Sequence, residues 1–135
     1  PRWLAIFDLD GTLTRHDTLR LFLTDFLRAH PGRWLKVWRL PFAFLCFVAL
    51  GRDRGKLKSS VIRALLGGTP RAALDACADS FVNSLQARGE FRPAALAVLE
   101  THRAAGDHLI LLSASPDLYV PRIGRLLGFE RTLCT

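Results

Sequence analysis

The sequence predicts an α/β protein: a Rossmann-like parallel sheet core with an inserted all-helical segment near its start. Two observations carry this. Short apolar runs at residues 3–7 and 108–112 each stop in a polar turn, DLDGT and SASP. Between them, residues 17–89 read as four helices with apolar stripes, punctuated by glycine and proline. Continuous apolar strands alternating with helical patterns fit a parallel sheet covered on both faces. In open sheets of this kind, ligands sit at the carboxyl ends of the strands. Both special turns fall there.

The chain has 135 residues and is 50% hydrophobic, enough for one core with a small insertion. Its formal charge of +7 and pI near 10.4 point to anionic partners such as phosphate esters or an acidic membrane surface. The basic residues are scattered, and no RNA-binding or zinc-finger pattern is present, so nucleic acid is not expected. Cys46, Cys77 and Cys134 share no metal-ligand spacing and sit in apolar or helical contexts. They read as reduced thiols of a cytoplasmic protein. No signal-peptide pattern precedes Trp3.

The first strand is read at residues 3–7. Asp8 and Asp10 follow at i, i+2, a spacing that puts both carboxylates on one side of a strand end. Gly11 then lets the chain turn out of the sheet. Two carboxylates at one strand mouth repel, and a hard cation such as Mg²⁺ between them relieves the repulsion. Asp17 is a helix N-cap, and Leu19, Phe22, Leu23, Phe26 and Leu27 form the stripe of the first helix. Pro31-Gly32 ends it.

A second helix is expected from Arg33 to Leu50. Trp34, Trp38, Phe42 and Leu45 share one stripe, Arg33, Lys36 and Arg39 another, and LPFAFLCFVAL is apolar all round. That run is too short for a bilayer, which needs about 20 residues. It reads either as a buried helix of the insertion, as a peripheral membrane contact rimmed by tryptophan and basic residues, or as a homodimer interface. The basic RDRGKLK leads into a third helix with Leu57, Val61, Leu65 and Leu66 inward. Arg52, Arg54, Lys56 and Lys58 read as a solvated helix end or as contacts for a substrate anion. Thr69 is expected to cap the fourth helix, with Pro70 at its first position. Leu74, Cys77, Ala78, Phe81, Val82 and Leu85 form its inner face.

Pro93 opens a fifth helix, with Leu96 and Leu99 inward, that ends at Gly106. The second buried strand, 108–112, runs into Ser113 and Ala114. A last helix begins near Leu118, with Val120, Ile123, Leu126 and Leu127 inward, and residues 131–135 start a further strand. Ser115 reads as its cap. The core is therefore assigned to residues 1–15 and 90–135, and the helical cap to 16–89.

The segments FDLDGTLTRHDTL, LGRDRGK and LLSASPDLYV together resemble the haloacid dehalogenase superfamily of phosphohydrolases, whose first motif is DxDGT[LV]T. The whole chain is similar to its phosphoserine-phosphatase-like branch, subfamily IB, and within it to phosphatidylglycerophosphatase C-type proteins. The resemblance implies Asp8 as nucleophile and Asp10 as general acid–base. It implies Mg²⁺ on the Asp8 carboxylate and the Asp10 carbonyl. It implies a phosphate site made by Gly11, Thr12, the Ser113 hydroxyl and the Ala114 amide. In phosphoserine phosphatases an acid at the offset of Asp17 contacts the substrate amine, so Asp17 is a cap or a substrate contact. The substrate is a phosphate ester, either a phospholipid at the inner face of the membrane or a small soluble one. The family's lysine and its GDSxxD-like acidic pair, which follow the serine motif, are not found after Ser113. The chain is therefore expected to be part of a longer enzyme and weak in turnover alone. The alternative is a non-catalytic phosphate- or membrane-binding module.

Overall fold

The computed structural model describes residues 1–39, 41, 45, 49 and 54–135. Three parallel strands form the sheet in the order β1 (Leu4–Asp8), β2 (His108–Leu112), β3 (Arg131–Leu133). Leu4 pairs with His108 and Asp8 with Leu112, while Ile110 pairs with Arg131 and Leu112 with Leu133. The first strand thus begins and ends one residue later than the apolar run suggests. Trp3 stays outside it, 69% exposed, with its N–H on Asp107 Oδ1 at 3.0 Å. His102 Nδ1 donates to the same carboxylate at 2.8 Å, and that bond, with the one from Trp3, holds the Asp107 carboxyl below its usual range.

The α-helices with bounds among the described residues are α1 (Thr18–Ala29), α2 (Arg54–Leu66), α3 (Arg71–Ala87), α4 (Pro93–Ala104) and α5 (Val120–Leu127). The strands were expected to be buried on both faces, and only one face is. Ala5, Phe7, Leu109 and Leu111 are buried, and Phe7 meets His102 and Phe129 edge-on. Leu4 at 58%, Ile6 at 57%, Leu112 at 48% and Leu133 at 53% exposure line the other face, which nothing among the described residues covers. Within the covered layer, Gly124 of α5 faces Thr132 of β3 so closely that a methyl at Gly124 would collide with the Thr132 hydroxyl.

Two compact units are present: residues 1–22 with 72–135, and residues 23–71. The stretch 16–89 is therefore shared between them. In the first unit, Phe22, Phe81 and Tyr119 pack mutually with ring centroids 5.3–5.4 Å apart. Arg122 ties α5 to α3 through Asp79 at 2.6 Å and Asp75 at 3.2 Å. The chain leaves the sheet and returns to it side by side. Thr14 bridges Phe91 in antiparallel fashion, Arg15 N–H donates to Glu90 O at 2.9 Å, and Arg92 N–H donates to Leu13 O at 2.8 Å. The Glu90 carboxylate, itself buried, accepts both the N–H and Nδ1 of His16 at 2.8 Å.

In the second unit, Arg33 Nη1 caps the carboxyl end of α2, on Leu65 O at 3.3 Å and Gly67 O at 3.0 Å. Its guanidinium also lies 5.6 Å from the Phe26 ring centroid. The residues after α1 form a tight three-residue-per-turn helix over Pro31–Arg39 rather than an α-helix from Arg33. Proline at its first position accounts for the earlier start. Trp34 and Leu35 are 52% and 76% exposed. The rest of the segment to Leu50, with Cys46, Gly51 and the start of the basic patch, lies outside the described residues apart from positions 41, 45 and 49.

The predicted α1 stripe is buried throughout. Three side-chain expectations need correction. Ser115 does not cap α5, which follows Tyr119 without a side-chain cap bond; its hydroxyl goes to Asp10 instead. Thr69 Oγ1 is buried without a hydrogen-bond partner, so its hydroxyl does not cap α3, which begins at Arg71. Leu126 is 40% exposed rather than inward, because the short α5 turns only Val120, Ile123 and Gly124 fully into the core. Cys77 and Cys134 are free thiols, each pushed up in pKa by burial.

Candidate active site

The site is built from the ends of β1 and β2. After Asp8, the chain makes one wide turn over Leu9–Leu13, closed by Thr14 N–H on Leu9 O at 3.1 Å. Leu9 and Leu13 are fully buried and anchor the turn at both ends. Gly11, at φ +78°, supplies the left-handed step between them.

Because the strand ends at Asp8, Asp10 belongs to the turn, and strand alternation does not govern it. The two carboxylates take different partners rather than one shared one. Asp8 is exposed and accepts Thr12 Oγ1 on Oδ2 at 3.2 Å. Asp10 is half-buried and held through both oxygens. Thr18 donates its N–H at 2.8 Å and its hydroxyl at 2.6 Å to Oδ1, and Ser115 Oγ donates to Oδ2 at 2.6 Å.

Ser113 follows directly on the Asp8–Leu112 pair, one residue beyond the neighbouring strand end. Adjacent strands lie about 4.8 Å apart. Its N–H donates to Leu133 O at 2.9 Å, and its hydroxyl accepts Ser115 N–H at 3.1 Å. Ser113 is 5% exposed, whereas Ala114, Gly11 and Thr12 are open to solvent. Thr135 supports the turn from behind, donating to Ala114 O at 3.0 Å.

Asp17 caps α1. Its Oδ1 accepts Leu19 N–H at 2.9 Å and Arg20 N–H at 3.4 Å. Since Asp10 takes Thr18 N–H, two carboxylates satisfy three orphan donors of that helix, at its electropositive end.

Three contributors were not singled out as site residues from sequence: Thr18, Ser115 and Tyr119. Tyr119 is fully buried, and its hydroxyl lies 3.0 Å from Thr18 Oγ1. Burial pushes its phenol well above the usual range. One signal was available. It is the single tyrosine of the chain, set among apolar positions, and a buried tyrosine needs a hydroxyl partner. Among the described residues there is no group of three or more His, Cys, Asp or Glu able to hold a metal.

The family model for haloacid dehalogenase-like hydrolases matches residues 5–135. The chain belongs to this family. It is similar to Protein CicA of Caulobacter vibrioides, at 39% identity over 132 residues, covering 98% of this chain and 58% of that protein. It is also similar to an inhibition of morphological differentiation protein of Streptomyces azureus, at 27% identity and 49% of that protein's length. The chain thus spans only about half to three fifths of the length of these curated relatives. Among solved structures, a protein of unknown function from Bordetella pertussis Tohama I superposes with a TM-score of 0.77 at 26% identity, covering 99% of this chain and 60% of that one. A phosphoserine phosphohydrolase-like protein from Francisella tularensis shares the fold, with a TM-score of 0.60 at 15% identity, over 99% of this chain and 58% of that one.

Proposed function

We propose that the protein to which this chain belongs is a Mg²⁺-dependent phosphomonoester hydrolase of the phosphoserine-phosphatase-like branch. The observation that carries this is the unequal treatment of the two carboxylates. Asp8 stands exposed at the strand end with one light hydrogen bond, as a nucleophile must. Asp10 is oriented by three donors, as a proton-transfer group must be.

In this scheme an Asp8 oxygen attacks phosphorus and the ester P–O bond breaks. Asp10 gives the leaving alkoxide its proton. A water then attacks the aspartyl-phosphate, Asp10 takes the water's proton, and phosphate leaves, regenerating Asp8. The Ser113 hydroxyl, the Ala114 amide and the turn at Gly11 and Thr12 hold the phosphoryl oxygens. Donors of that kind contribute about 10²–10³ in rate each. The Asp8 carboxylate and the Asp10 carbonyl are hard oxygen donors that suit Mg²⁺, whose role is to offset phosphoryl charge. The remaining donors would come from water, substrate and residues outside this chain. In the complete protein, beryllium fluoride or a phosphate ester should label Asp8. An adduct on another residue, or full activity in Asp8→Asn, refutes the scheme.

Within the same reading, the helical segment 16–89 serves as the cap, and a phospholipid phosphate is the favoured substrate over a soluble one such as phosphoserine. Exposed Trp34 and Leu35 next to basic residues support that preference, since such pairs favour lipid interfaces. No described helix is long and apolar enough to cross a membrane. The complete protein should co-sediment with anionic vesicles at low salt. Equal recovery in the supernatant with and without vesicles leaves the soluble substrate.

A further inference from the structure

The turn after β2 sends two hydroxyl groups towards Asp10, one directly and one through Thr18. Ser115 Oγ donates to Asp10 Oδ2 at 2.6 Å. Tyr119 OH lies 3.0 Å from Thr18 Oγ1, which in turn lies 2.6 Å from Asp10 Oδ1. Thr18, Ser115 and Tyr119 are each fully buried. Hydroxyls removed from water in this way need protein partners, and here the partners converge on one carboxylate.

The supply of protons sets the direction of the two bonds made by the Thr18 hydroxyl. Thr18 has one hydroxyl proton, and it is given to Asp10, so Tyr119 donates to Thr18. Thr18 also gives Oδ1 its main-chain N–H at 2.8 Å, a donor that can never accept. Oδ1 is therefore bound as an acceptor by a group that cannot reverse. Oδ2 accepts the Ser115 hydroxyl, which can rotate and serve as donor or acceptor.

From this the structure assigns Thr18, Ser115 and Tyr119 as positioning residues that lock the Asp10 carboxylate, leaving Oδ2 as the oxygen that exchanges a proton with the leaving group and with water. This rests on the reading of Asp10 as the general acid–base. It adds which oxygen acts and what holds it. The Ser113 turn that is proposed to bind the phosphoryl group thereby also sets the acid–base group. Phosphate position and Asp10 orientation are coupled through three residues of one turn.

The test separates the proton-transfer step from the rest of the reaction, in the complete protein under single-turnover conditions. Para-nitrophenolate leaves without a proton, whereas the alkoxide of ethyl phosphate needs one. Thr18→Val and Ser115→Ala should slow ethanol release by about 10–100-fold, a part of the roughly 10²–10⁴-fold that general acid catalysis contributes. The rate of nitrophenol release should change less than about 3-fold, which also shows that the variants fold and that Asp8 still reacts. Thr18→Ser keeps the hydroxyl and should recover most of the rate lost in Thr18→Val. Tyr119→Phe should give the same selectivity with a smaller loss. Equal slowing of both substrates, or no slowing of either, while Asp8 is still labelled overturns the positioning role. Absence of any Asp8 adduct in the unaltered protein overturns the phosphatase reading and the positioning role with it.

Discussion

The turns after β1 and β2 occupy the same place on neighbouring parallel strands, yet they are closed in different ways. The first closes on itself. Thr14 N–H returns to Leu9 O, Gly11 takes the left-handed step, and Leu9 and Leu13 fill the core. The second is closed by other segments. Leu133 O receives Ser113 N–H, Thr135 donates to Ala114 O, and Ser115 reaches across to Asp10. A locally closed turn carries its instructions in consecutive residues. A turn closed from outside takes its shape from strands and helices far away in sequence. Damage to each should therefore differ in kind.

The largest effect belongs to the first turn. Asp8→Asn should remove turnover and the trapped adduct while leaving stability nearly unchanged, because Asp8 is exposed and makes one side-chain hydrogen bond. Adduct mapping and a denaturant titration check the two halves of that statement. A variant that keeps its activity would make the second turn, not the first, the chemical centre.

The next effect belongs to the second turn's support. Gly124→Ala should cost about 1–3 kcal/mol by overpacking α5 against β3. The added methyl would collide with Thr132 Oγ1, so Thr132→Ala in the same chain should recover most of the loss. A double-variant denaturation cycle reads this directly, and strict additivity would show that the clash is not the cause. Gly11→Ala should cost about 1–2 kcal/mol, from the left-handed backbone alone. Nothing lies within 4 Å of the methyl it adds, so no second substitution nearby should relieve it. Its activity should fall further than that of Gly124→Ala at equal stability, since Gly11 shapes the loop between Asp8 and Thr12.

That contrast also explains what could be read from the sequence. The α1 stripe and the second strand, 108–112, depend on neighbours within a few residues, and each lies where its pattern put it, while the first strand is shifted by one residue. That Asp8 and Asp10 take different hydrogen-bond partners did not follow from an i, i+2 spacing, because Asp10 lies in the turn and not in the strand. Ser115 was legible as a turn residue but not as a donor to Asp10, whose carboxylate is 105 positions away. The open sheet face was not legible either. Apolar strands state that both faces avoid water, but they do not state what covers them. The side-chain hydroxyl of Thr69 fits a cap by sequence and makes no bond, because a cap needs geometry as well as residue type.

The smallest effect concerns Asp17, where two roles were open. Its Oδ1 accepts the N–H groups of Leu19 and Arg20, which accounts for the residue as a cap. Asp17→Ala should then cost about 1 kcal/mol, and Asp17→Ser, which still caps, should cost much less. A role in binding a substrate amine makes the opposite prediction. Serine cannot replace the negative charge, so Asp17→Ser would raise KM as much as Asp17→Ala while leaving stability intact. The two variants thus separate the roles by which quantity moves. The expected result is a shifted denaturation midpoint for Asp17→Ala with KM unchanged in both. A KM that rises equally in both variants for an amine-bearing phosphate ester, but not for one lacking an amine, would assign Asp17 to the substrate. It would also place a third carboxylate beside the turn after β1, making that turn the seat of recognition as well as of chemistry.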